Sequence, residues 1–142
     1  MKITVLGAGA WGTALARLLG ADQHPVTLWG HDANHLDVVR RSRRNERYLP
    51  GIELPGGLQL ESDLAGAVAG AGCVVVAVPS KAFREVTKSL AGFSGVIVSV
   101  TKGIEHQSGL TMCGVLGENS PQAKLAALSG PSLEIDVSRG IP

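Results

Sequence analysis

The sequence predicts an α/β fold: an open, mostly parallel, doubly wound sheet with helices on both faces. Three observations carry this expectation. An apolar, β-branched run at Lys2–Leu6 passes through glycines into residues at helical spacing. Short apolar runs then recur along the chain, alternating with helix-patterned stretches. Among them, Cys73–Val78 is apolar throughout, as a parallel strand covered on both faces requires.

The elements follow in order. Lys2–Leu6 is the first strand. Trp11, Ala14, Leu15, Leu18 and Leu19 share one face of the first helix. His24-Pro25 ends that crossover, and Val26–Trp29 is the second strand. Strand, helix and strand within about thirty residues make a right-handed, parallel βαβ unit. Asp32-Ala33-Asn34 starts a second helix, with Leu36, Val38 and Val39 opening its apolar face. Arg40, Arg41, Arg43, Arg44 and Arg47 crowd its end. Asn45–Gly57, rich in proline and glycine, is a loop. Leu58-Gln59-Leu60 is a third strand, and Asp63 caps a short alanine-rich helix. Cys73–Val78 is the fourth strand. Pro79-Ser80 ends it, with Ser80 capping a helix from Lys81 to Leu90. Val96–Val100, a helical segment from Thr111 to Gly117 and a last strand at Leu125–Leu128 complete the series.

Composition narrows the function. The 142 residues suit one domain, 1–142, with a single sizeable core. A formal net charge of +1 gives no general attraction to nucleic acid. No apolar run approaches the ~20 residues of a membrane span. A strand begins at once, so the N-terminus does not read as a signal peptide. Cys73 and Cys113 match no metal spacing, and no metal is expected. Cys73 reads as a small buried hydrophobe. These features suit a cytoplasmic protein. His24 and His35 read as ordinary surface residues, and Glu105, His106 and Ser108 form no nucleophile constellation.

The chemistry starts at Gly7-Ala8-Gly9-Ala10-Trp11-Gly12. This G-x-G-x-x-G lies between a strand and a helix, the context of a Rossmann-like dinucleotide-binding turn. Gly7 allows the tight turn, Gly9 lets a pyrophosphate approach the backbone, and Gly12 lets the helix pack on the strand. Unpaired N–H groups at the helix start then face the phosphates. The alternative is that these glycines serve only a tight strand–helix turn. Ligands in such sheets lie beyond the carboxyl ends of the strands. Gly7–Gly12, Gly30–Asp32, Val78–Ser80, Val100–Gly103 and Ser129–Ser132 should therefore line one crevice. Ser80 is placed among the cofactor contacts on this ground, although helix capping alone would account for it.

Coenzyme choice turns on the residues after the second strand. By count, Asp32 matches the acid that holds a ribose 2′-hydroxyl, about 20 residues past Gly12. By pattern it is a helix N-cap. In the second case no carboxylate repels a 2′-phosphate, and His31 with the arginines after it could attract one; the alternative is that the arginines form only a solvated helix end. The expectation is NADP(H), with NAD(H) also accepted.

At this point the residues resemble a family. Gly7–Ala16, Asn45-Glu46-Arg47-Tyr48-Leu49-Pro50-Gly51, Val78-Pro79-Ser80, Thr101-Lys102-Gly103-Ile104-Glu105 and Ser129-Gly130-Pro131-Ser132 are similar to NAD(P)-dependent glycerol-3-phosphate dehydrogenase of the bacterial type. The likeness runs the whole length, in order and spacing. It implies reduction of dihydroxyacetone phosphate to sn-glycerol 3-phosphate, the backbone precursor of phospholipids. It also implies that a C-terminal helical domain, outside this chain, carries the catalytic lysine, so residues 1–142 alone would not turn over. A homodimer of the full-length protein is compatible with it.

By the same resemblance, Ala10 and Trp11 approach the cofactor phosphates, His31 lies near the adenosine ribose, and Tyr48 lies beside the cofactor. Lys102 sits at the nicotinamide end and touches substrate; Gly130 and Ser132 help hold substrate. The chain departs from the family at Ala10, where serine is common, and at Glu134, which replaces a small residue near the cofactor. Asp136 stands for the family's glutamate. Lys102 directly follows a buried strand, so it should point into the crevice, where an ammonium can attract a phosphate or polarise a ketone. The bland alternative is a surface lysine before a turn glycine. Two rival readings are another two-domain dehydrogenase with the same first half, and a non-enzymatic domain that senses dinucleotide.

Overall fold

The computed structural model describes residues 1–130 and 134–140. Its order is β1 (Ile3–Leu6), α1 (Ala10–Ala21), β2 (Val26–Trp29), α2 (Ala33–Ser42), β3 (Gln59–Glu61), α3 (Leu64–Val68), β4 (Cys73–Val76), α4 (Ser80–Thr87), β5 (Val96–Ser99), α5 (Met112–Asn119), β6 (Lys124–Ala127) and α6 (Glu134–Ser138). The strands form one sheet in the order β3-β2-β1-β4-β5-β6, and every pairing is parallel. The expected Rossmann-like doubly wound sheet is therefore present.

Strand alternation divides the core in two. Ile3 and Val5 face the side covered by α1 and α2, where Leu15, Ala16, Leu36 and Val39 are buried with them. Leu6, Val74 and Val76 face the other side, against Ala67, Phe83, Val115 and Leu116 from α3, α4 and α5. Thr4, fully buried on that side, satisfies its hydroxyl by donating to the Ala67 carbonyl at 2.6 Å. The order reverses between β1 and β4, and the chain leaves their carboxyl ends toward opposite faces. That divergence opens a crevice at the switch point.

Several boundaries differ from the sequence reading, each for a local reason. β4 stops at Val76 because its neighbour β1 has already turned away at Gly7. There φ is +119°, and a Cβ would lie 2.7 Å from the Ala77 carbonyl oxygen. Ser80 does not cap α4: Pro79 occupies the N-cap position, and no side-chain cap bond is made. The α-helical part of α4 ends at Thr87, whose hydroxyl donates back to the Phe83 carbonyl at 2.7 Å; the chain then tightens into a 3₁₀ turn at Lys88–Leu90. α5 runs on to Asn119, with Thr111 as its cap rather than its first residue. β3 and β6 each lie one residue from their expected positions. Leu18 and Val38 are 38 % and 52 % exposed, so neither joins its helix's buried face. Asp32 and Asp63 do cap α2 and α3, accepting from the His35 and Gly66 amides.

Candidate functional site

The start of α1 is built to receive an anion. Its N-cap, Gly9, offers no side-chain bond, and no acidic residue lies in the first turn. The first amides of the helix thus keep their unpaired donors, at the positive end of the helix dipole. A Cβ added at Gly9 would meet nothing within 4 Å, so that side of the turn is open space. At Gly12 the reverse holds: a Cβ would overlap the Gly7 carbonyl oxygen and lie 2.8 Å from its carbon. Gly9 leaves room for a ligand, whereas Gly12 seats the helix against the strand.

This turn forms one wall of a crevice of ≈ 750 Å³. Gly7, Gly9, Ala10, Trp11, His31, Tyr48, Ser80, Lys102 and Glu134 all line it, although the sequence spreads them over most of the chain. Gly12 and Gly130 do not line it, and Ser132 lies outside the described residues. Ala77, Val78 and Val100 line it as well, and with Ala8, Ala10, Trp11 and Pro79 they make its surface mostly apolar.

Lys102 is exposed at one end of the crevice. The loop that carries it is firmly held. Thr101 donates its hydroxyl to the Val78 carbonyl at 2.6 Å. Gly103 adopts a φ of +120°, which turns the chain sharply behind the lysine. Glu105 accepts two bonds from Arg84 on α4, both at 2.8 Å, and a third from the Ser108 hydroxyl at 2.6 Å. These donors hold its carboxyl down at about 2. Glu105 and Ser108 thus staple a loop, and these two sequence neighbours do face one another.

The other end gathers residues that sequence reasoning undervalued. His35 is no ordinary surface residue: it lines the crevice, its Nε2 is buried with no hydrogen-bond partner among the described residues, and its ring meets Tyr48 edge-on with centroids 5.5 Å apart. Helical spacing from the Asp32 cap, which directs position 35 back over the helix start, is the signal that could have found it. Asn45 opens the Asn45–Gly51 motif, but its sequence position gives it no role of its own. Its side chain is buried, and its Nδ2 donates to the Ala8 carbonyl at 3.0 Å and the Thr13 hydroxyl at 2.8 Å. It pins the loop to the glycine turn.

Comparison with known proteins agrees with this geometry. A family model described as the NAD-dependent glycerol-3-phosphate dehydrogenase N-terminus matches residues 2–142. The chain belongs to that family. Glycerol-3-phosphate dehydrogenase [NAD(P)+] of Anaeromyxobacter sp. is 47 % identical over 148 residues, covering 100 % of this chain and 45 % of the relative. The Xanthomonas campestris protein of the same name is 45 % identical, over 99 % of this chain and 42 % of its own length. A crystal structure of glycerol-3-phosphate dehydrogenase from Coxiella burnetii superposes with a TM-score of 0.91 at 35 % identity, covering 99 % of this chain and 44 % of that one. The chain thus spans less than half the length of the relatives it matches. Membership in this family sets aside the rival two-domain dehydrogenases. Among the described residues no helix is long and apolar enough to cross a membrane, and no group of three or more His, Cys, Asp or Glu could hold a metal.

Proposed function

We propose that residues 1–142 are the coenzyme-binding part of a glycerol-3-phosphate dehydrogenase. The single observation that carries this is the open, uncapped start of α1 at the carboxyl end of β1, with space on the Gly9 side. A diphosphate fits there: it needs main-chain donors, a positive dipole end and no Cβ in the way. Ala10 and Trp11 would flank it. His31 and Tyr48 would hold the adenosine end, with NADP(H) preferred and NAD(H) accepted. Ser80, Lys102 and Glu134 would lie toward the nicotinamide.

When bound, the nicotinamide coenzyme supplies or takes up a hydride. Reduction of dihydroxyacetone phosphate places that hydride on the carbonyl carbon and builds negative charge on the oxygen. Lys102 would face that charge or the substrate phosphate with its ammonium group. The loop bonds of Thr101 and Glu105 would fix the backbone from which it reaches. Gly130 and Ser132 would contact the substrate. The proton donor and further substrate contacts would come from chain beyond residue 142, as the greater length of the relatives allows. The product, sn-glycerol 3-phosphate, would feed phospholipid synthesis.

Two experiments test the reading. Calorimetric titration of this chain with NADPH and NADH should show binding, and absence of heat with both overturns the assignment. In a protein extended to the length of its relatives, Lys102→Ala should lower kcat/KM for dihydroxyacetone phosphate by about 100-fold, the cost of a lost charge-assisted contact. Unchanged turnover and substrate affinity would remove Lys102 from the mechanism.

A further inference from the structure

Five arginines follow β2, and the sequence does not rank them. Tertiary contacts do. Arg40 pairs with Asp37 and donates to the Leu60 carbonyl at 3.0 Å. Arg41 donates to the Asp37 carbonyl at 3.3 Å. Arg43 is tied to the carbonyls of Pro55 and Leu58. Arg44 faces Glu46 at 3.8 Å. None of these four lines the crevice, and Arg47 does. Its guanidinium carbon sits 5.3 Å from the centre of the Tyr48 ring, and its Nη1 is 3.9 Å from Asp32 Oδ2. Asp32 itself stands three residues past the end of β2, the region where the ribose of a dinucleotide bound by this fold comes to lie.

Resting on the coenzyme reading above, we propose that Arg47 is the residue that selects a 2′-phosphorylated coenzyme, with Asp32 as its partner when no phosphate is present. The contact between them is long and exposed, with 61 % and 43 % of the two side chains accessible, so it holds Arg47 in place only weakly. A phosphate dianion in the same place is the stronger partner: it carries more charge and offers the paired oxygens that a planar guanidinium fork engages. The Tyr48 ring keeps the fork over the crevice, so little side-chain freedom is lost on binding. Asp32 has one oxygen committed to the His35 amide at 3.1 Å. The other remains beside Arg47, where it can accept from a free 2′-hydroxyl. One pair of residues therefore admits both coenzymes: Arg47 takes the phosphate, and Asp32 takes the hydroxyl.

The test is titration of this chain and three variants with NADPH and with NADH. Arg47→Ala should weaken NADPH about 10- to 100-fold, the size of one lost charge-assisted contact, and change NADH less than about 2-fold. Arg47→Lys should recover only part of the loss, because an ammonium lacks the fork. Asp32→Asn keeps a good helix cap and should tighten NADPH while weakening NADH. Arg47 is exposed, Asp32 is half-buried and its asparagine variant keeps the cap, so thermal melts of the variants should match wild type. Equal changes for both coenzymes, or none for either, overturn the role of Arg47 and leave the coenzyme site standing. Failure of the unaltered chain to bind either coenzyme overturns the site itself.

Discussion

Alanine at Gly9 and at Gly12 should fail in opposite ways. At Gly12 the new methyl would meet main-chain atoms of Gly7, 2.8 Å away at the carbonyl carbon where ordinary contact begins near 3.4 Å, and closer still at the oxygen. Neither atom can rotate aside, because Gly7 is itself fixed by the hydrogen bond its N–H donates to the Trp29 carbonyl at 2.9 Å and by Ala77 behind it. The first turn of α1 must therefore lift off β1, loosening the buried contacts of Ala14, Leu15 and Ala16. Overpacking usually costs about 1–3 kcal/mol, and a clash between two backbones belongs at the upper end. For a domain of this size that is a loss of roughly 10 °C in Tm. At Gly9 the methyl meets nothing, and the backbone is already extended at φ −82° and ψ −163°. The poorer N-cap quality of alanine is offset by its less flexible unfolded chain, so stability should stay within about 1 kcal/mol. Coenzyme affinity should instead fall at least about tenfold, because the methyl fills the space proposed for the diphosphate. Urea denaturation and fluorescence titration with NADPH read the two effects separately. A stable Gly12→Ala, or a Gly9→Ala that binds like wild type, refutes the division of labour between these glycines.

Two further outcomes follow from the loops around the crevice. Glu105 is held at about 2, below its ordinary 4.5, so the unfolded chain binds more protons than the folded one between these values. Its contribution is complete above pH 4.5 and disappears as the pH falls toward 2; Tm measured across that window should drop more steeply in wild type than in Glu105→Gln. Asn45→Ala would strip the part-buried Ala8 carbonyl and the buried Thr13 hydroxyl of their shared donor, and chemical denaturation should show a loss of about 2–3 kcal/mol. An Asn45→Ala protein as stable as wild type would mean that water replaces the amide in the site.

Much of this protein is written in local pattern. β1, β2 and the glycine turn follow from neighbours in sequence: β-branched apolar runs, a positive φ that only Gly7 adopts easily, and a helix whose first amides lack partners. The caps at Asp32 and Asp63 are equally local, since each carboxylate bonds an amide three residues on. The convergence of residues 7–11, 30–32, 78–80 and 100–102 on one crevice was also legible, because it requires only that parallel strands share a direction; Gly12, Gly103 and Gly130, expected there too, do not line it.

Contacts between segments distant in sequence were decided by the folded chain alone. Nothing near Asn45 foretells that its amide closes onto Ala8 and Thr13, and nothing near His35 foretells its contact with Tyr48. The five arginines look alike as a row; the Asn45–Gly57 loop folds back over α1 and directs Arg47 to the crevice while Arg43 turns inward to the carbonyls of that loop. Local sequence sets backbone conformation through sterics and nearby hydrogen bonds. Which polar groups meet depends on how the loops close across the sheet, and that is settled only when the two apolar faces are covered.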